Sequence, residues 1–96
     1  MTATRTGPSL DRLRRDIEAI DQQLIALVGR RVTLARDIGQ AKRSAGLPLL
    51  DPVREAAVIR RAGTLARAAG IDEEAVREIF WHLVGLSRRA QSDGAS

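Results

Sequence analysis

LDRLRRDIEAIDQQLIALVGRRVTLARDIGQAKR, residues 10–43, carries the pattern that decides the fold. Its apolar residues fall at Leu10, Leu13, Ile17, Ile20, Leu24 and Leu27, then at Leu34, Ile38 and Ala41. Steps of three and four in alternation are the seam of an amphipathic α-helix that packs on other helices. One register position of the seam, between Leu27 and Leu34, is held by Arg31. A charge set into an apolar seam needs a partner or a ligand, because an unpaired buried charge is very costly.

Beside the seam, steps of seven from Arg14 reach Asp21, Val28, Ala35 and Lys42, so Arg14, Arg31 and Lys42 lean toward one side of the helix. At a rise of 1.5 Å per residue, Arg31 and Lys42 stand about 16 Å apart, a gap two long side chains close around a small anion. Arg14 lies roughly 25 Å from Arg31 and about 42 Å from Lys42 on the same rise, too far to share a site within one chain. To serve that site it has to come from a second copy. A helix from Leu10 to Ser44 measures about 52 Å, against a radius of gyration of roughly 12.5 Å for a compact chain of this length. Its far half exposes apolar seam unless two chains wrap around each other.

Outward from this helix, Ser9 suits its N-cap and Gly46 with Pro48 its stop. Gly29 and Gly39 inside the pattern each cost about 1 kcal/mol against alanine, which space for a neighbouring helix or a ligand accounts for. Leu47 to Leu50 form a short apolar loop expected to cover something. Asp51 caps and Pro52 opens a second helix, whose small-residue face is read as Val53, Ala56, Ile59, Ala62, Ala66 and Ala69, ending at Gly70. Asp72 opens a third, with a stripe of Val76, Ile79, Phe80, Leu83 and Val84 that continues into the polar Ser87 and Gln91. The fold expected is all-α, three helices per chain, the first very long, in an intertwined homodimer. Residues 1–8 read as a disordered leader, 9–92 as one helical domain and 93–96 as a frayed tail.

Composition narrows the chemistry. The 96 residues include no cysteine and one histidine, so disulfides and thiolate metal sites drop out, and no grouping has metal-ligand spacing. No apolar run approaches a membrane span and no signal-peptide pattern opens the chain, so a cytoplasmic location is expected. A net charge of +4 fits an anionic partner. Phe80 and Trp81 are the only aromatics, so stacking platforms for single-stranded nucleic acid are missing.

The polar intruders are Arg31, Lys42, Arg54 and Glu55 in the first turn of the second helix, and Ser87 with Gln91. Taken singly each has an ordinary reading: a snorkelling arginine, solvated flanking charges, first-turn residues, a helix leaving the core. Together they suit a small ligand with two carboxylates and a hydroxyl, and they suit covalent catalysis poorly.

The series Leu13-Arg14, Asp21, Arg30-Arg31, Gly39-Gln40-Ala41-Lys42, Asp51, Arg54-Glu55, Ser87 and Gln91 resembles the all-helical chorismate mutases of the AroQ class, from Leu10 to Gln91. The resemblance implies an intertwined dimer with two equivalent sites that rearranges chorismate to prephenate without cofactor, metal or covalent intermediate. It places Arg14 of the partner chain, Arg31 and Arg54 on the two carboxylates, with Ser87 assisting. Lys42 and Gln91 face the ether oxygen, and Glu55 with the backbone around Asp51 takes the ring hydroxyl.

Related substrates need the same clamp, so a 4-amino-4-deoxychorismate mutase or an isochorismate-pyruvate lyase stays open here. So does a non-enzymatic helical dimer that binds an acidic partner, although Arg12, Arg15, Arg30, Arg36 and Arg43 are spread around the helix instead of forming one stripe. Some small mutases resembling this chain also depend on the first enzyme of the shikimate pathway, a partner for which the sequence carries no docking signal.

Overall fold

A computed structural model describes Gly7 and residues 9–93 of the chain. The leader expected over 1–8 and the tail over 93–96 therefore lie, apart from Gly7 and Asp93, outside the described residues. Three helices follow one another: α1 (Leu10–Ala45), α2 (Pro52–Ala68) and α3 (Glu73–Ser92). Among the described residues there is no strand, and no helix is long and apolar enough to cross a membrane.

The helix ends follow from local chemistry. Ser9 Oγ accepts from the Arg12 amide at 3.1 Å, and Asp51 Oδ1 from the Arg54 amide at 3.1 Å. Asp72 Oδ1 does the same for Glu74 and Ala75, so each helix starts on a capping oxygen that satisfies a free N–H. Gly46 (φ 70°) and Gly70 (φ 72°) take the left-handed conformation that turns the chain out of α1 and α2.

α3 is the hub. It packs on α1 and on α2, whereas the Cα traces of α1 and α2 nowhere come within 8 Å of each other. The buried positions are small: Ala35 and Gly39 on α1, Ala62, Gly63 and Ala66 on α2, Val84 and Ala90 on α3. Small residues let the axes close up, and Gly39 shows how far. A Cβ built there would stand 2.8 Å from the Gln91 Cα, so the space this glycine leaves is filled by α3. A Cβ built on Gly29 would meet nothing within 4 Å beyond its own helix backbone, so no neighbouring element among the described residues fills that space.

Gly39→Ala is expected to destabilise the fold. Helix propensity favours alanine by about 1 kcal/mol. Forcing a methyl into backbone costs about 1–3 kcal/mol, and here backbone atoms of Gln91 must move. A lower thermal midpoint by circular dichroism is the expected result; an unchanged one removes the close crossing.

Two helix faces need correction. On α2, Val53, Ala56 and Ala69 are exposed, and the face turned to α3 runs through Glu55, Val58, Ile59, Ala62, Gly63 and Ala66. On α3, Ile79 is 56% exposed while Ala90, outside the expected stripe, is buried. The rest of both expected faces does turn inward: Ile59, Ala62 and Ala66 on α2, and Val76, Phe80, Leu83, Val84, Ser87 and Gln91 on α3, are at least partly covered. The 47–50 loop covers little, since Leu47 and Leu50 are exposed and only Leu49 is half-covered.

The α1 seam behaves differently from the residues beside it. Val28, Arg31, Val32, Ala35, Gly39, Lys42 and Arg43 are covered to some degree by the rest of the chain. Leu10, Leu13, Ile17, Ile20, Leu24, Leu27, Leu34 and Ile38 remain between 45% and 61% exposed. The molecule is correspondingly drawn out, 70 × 27 × 14 Å with a radius of gyration of 18.7 Å.

Candidate active site

Because α1 and α2 stand apart, α3 forms the floor of an open cleft of about 500 Å³. α1 contributes Arg31, Leu34, Ala35, Ile38 and Lys42; α2 and its N-cap contribute Asp51, Arg54, Glu55 and Val58; the floor carries Val84, Ser87 and Gln91. Seven of the eight residues singled out from the sequence thus converge on one cavity. Arg14 does not: it is exposed on the N-terminal half of α1, far along the axis from Arg31.

Each polar group has a defined setting. Arg31 donates through Nη1 to Ser87 Oγ at 3.2 Å, and its guanidinium carbon lies 5.7 Å from the Phe80 ring centre. The aromatic face and the hydroxyl together hold a half-buried cation in place. Lys42 Nζ donates to the Leu49 carbonyl at 2.9 Å and to Gln91 Oε1 at 3.1 Å. An ammonium has three donors, so these two acceptors aim it and leave one N–H for the cleft. The contact also fixes the amide of Gln91 with its oxygen toward Lys42 and its NH2 available as a donor. Gln91 is held from behind by Arg43, whose Nη1 donates to its backbone carbonyl at 2.8 Å.

On the α2 wall, Arg54 makes no side-chain hydrogen bond or ion pair among the described residues, and it lines the cleft next to the helix N-terminus. Asp51 is committed to capping that helix. Glu55 is gripped from α3 by Arg88, which donates through Nε to Oε2 at 2.9 Å and through Nη2 to Oε1 at 2.7 Å. These charge-assisted bonds hold the Glu55 carboxyl below its ordinary range, against partial burial and the repulsion of Asp51, with help from Lys42. The stability this pair supplies is present above the ordinary carboxylate pKa and is lost as pH falls through the depressed value.

Arg88, Arg43 and Phe80 are the participants that residue-by-residue reading passed over. A signal for Arg88 was there: Glu55 and Arg88 sit sixteen residues before and seventeen after Ile71 in the turn of an antiparallel hairpin. Residues nearly equidistant from such a turn face each other. Arg43 and Phe80 needed the helix crossing to be known.

The assembled set is three cations, two carboxylates already engaged by Arg88 and by a helix cap, an amide and a hydroxyl on an apolar-walled cleft, which is the chemistry of a receptor for a small polar dianion. The comparisons with known proteins agree. The family model described as Chorismate mutase type II matches residues 13–92. A chorismate mutase of Methanocaldococcus jannaschii is 30% identical over 82 residues, covering 85% of this chain and 83% of that one. A 4-amino-4-deoxychorismate mutase of Streptomyces venezuelae is 34% identical over 71 residues, 74% of this chain and 69% of that one. A conserved hypothetical protein of Pyrococcus furiosus superposes with a TM-score of 0.70 at 35% identity, covering 90% of this chain and 99% of that one. Other curated relatives are longer, and the chain spans only about a fifth of their length. The chain belongs to the type II chorismate mutase family, and its assignment as an enzyme of that kind rests on this membership.

Proposed function

We propose that this domain converts chorismate to prephenate in a cleft completed by a second copy of the chain. The observation that carries the reading is the convergence of Arg31, Lys42, Arg54, Glu55, Ser87 and Gln91 on one cavity in a chain of this family. The reaction is unimolecular: a C–O bond breaks and a C–C bond forms within one molecule, once the enolpyruvyl arm folds over the ring. Cations at fixed positions hold both carboxylates in that folded shape, which removes the entropy cost of reaching it. Arg31 and Arg54 take that role, with Ser87 beside Arg31; arginine's planar fork suits a carboxylate.

Breaking the C–O bond ahead of C–C formation leaves negative charge on the ether oxygen. The remaining N–H of Lys42 and the NH2 of Gln91 serve that oxygen, so they stabilise the transition state more than the ground state. Glu55 and the backbone at Asp51 accept the ring hydroxyl. No step requires a cofactor.

The partner copy follows from the exposed seam. A run of leucines and isoleucines on one α1 face exceeds what a monomer ordinarily leaves in water, and the chain's own buried positions are few and small. Two chains wrapped along α1 cover that seam and carry Arg14 of the partner into the cleft. A cytoplasmic location belongs to the same reading, as does docking to the enzyme that opens the shikimate pathway.

Following chorismate absorbance with product identification tests the assignment. Prephenate is the expected product, with a rate broadly flat around neutral pH because Gln91 does not titrate. Unconsumed chorismate defeats the proposal, and a sharp acid optimum means that position 91 is misassigned. The similarity to a 4-amino-4-deoxychorismate mutase makes the amino analogue the natural second substrate to compare.

A further inference from the structure

Building on that reading, we propose that Arg88 sets which ring substituent the site accepts. By occupying both oxygens of Glu55, it makes the carboxylate an acceptor for a neutral hydroxyl and a poor counter-charge for an ammonium at the same place. Arg88 does not line the cleft; it reaches Glu55 from the exposed side of α3, so it acts through that carboxylate and is a positioning residue.

The geometry has two consequences. Each carboxylate oxygen has about two lone-pair sites, and the fork at 2.9 and 2.7 Å uses one on each. One direction per oxygen stays open, enough for a hydroxyl proton, and the fork fixes where it points. The second consequence is charge. The groups that bear on Glu55 are Lys42 from α1, Asp51 at the start of α2 and Arg88 from α3, with Arg54 next to it in sequence. Lys42, Arg54 and Arg88 outnumber Asp51 and Glu55 by one positive charge. Without Arg88 the count is even, and an ammonium there loses a repulsive neighbour while gaining an uncompensated carboxylate.

The test compares wild type, Arg88→Met and Arg88→Lys on chorismate and on 4-amino-4-deoxychorismate, with kcat and KM resolved from about pH 4 to neutrality. The wild type is expected to prefer chorismate. Arg88→Met is expected to lower the chorismate-to-amino ratio of kcat/KM by about two- to fivefold, the upper range of a partly exposed ion pair. The shift falls mainly on KM for the amino compound. In the same variant the acid limb for chorismate moves to higher pH, because Glu55 regains its proton sooner. Arg88→Lys keeps the charge and restores most of both effects.

Equal losses on both substrates with an unmoved acid limb overturn the proposal, leaving Arg88 as a brace between α2 and α3. Wild-type protein that consumes neither compound overturns the functional reading and the proposal with it. That failure is distinct, since it is seen before any variant is compared.

Discussion

Lys42→Ala is expected to lower kcat on chorismate by on the order of 10²-fold or more, as loss of an oxyanion-type donor does. KM should move far less, because the interaction removed is one that strengthens as the ether bond breaks. The size of the effect follows from how Lys42 is held. Its ammonium is half-buried and aimed by the Leu49 carbonyl and Gln91 Oε1, so little reorganisation is needed when charge develops. The substitution also leaves those two oxygens without their donor, so a thermal melt belongs beside the rate measurement. A stable variant with wild-type kcat would refute the assignment to the ether oxygen.

Arg14→Ala and Arg31→Ala are each expected to be nearly inactive as homodimers, and to recover activity when mixed. In a mixed dimer one cleft receives Arg31 from one chain and Arg14 from the other, both intact, while the second cleft lacks both. Random pairing of equal amounts makes half of the dimers mixed, each with one working site. The expected recovery is therefore about a quarter of wild-type specific activity. No recovery after co-refolding, or a monomer by sedimentation equilibrium, would end the shared-site proposal. The expectation rests on length: seventeen residues of helix separate the two arginines, about 25 Å, and no side chain bridges that within one molecule.

The long helix, its caps and its stop were legible in the sequence because each is a local matter. Ser9, Asp51 and Asp72 cap where short polar side chains precede an apolar period, and Gly46 ends α1 where only an unusual φ permits the turn. The cleft residues were legible as intruders in otherwise apolar stripes and as a resemblance. What escaped depends on how helices cross. Val53 and Ile79 fit the periodicity, yet both are exposed, because periodicity alone does not fix how far along each helix the contact between α2 and α3 extends. Arg43 read as one of several basic residues spread around α1 and Arg88 drew no reading, because nothing local says that one meets the Gln91 carbonyl and the other Glu55. Gly39 was open between two explanations until the backbone of Gln91 was found against it.

Since the backbones of the two cleft walls stay more than 8 Å apart, their separation is set mainly by how each beds into α3. Those beds are lined by alanine and glycine, the residues with least slack, so the spacing of the cations acts like a gauge cut into the third helix. One added methyl at Ala62, Ala66 or Ala90 retunes that gauge from a position that never meets the ligand. Variants of such positions offer a way to widen or narrow the bite of the site while leaving every chemical group in it unchanged.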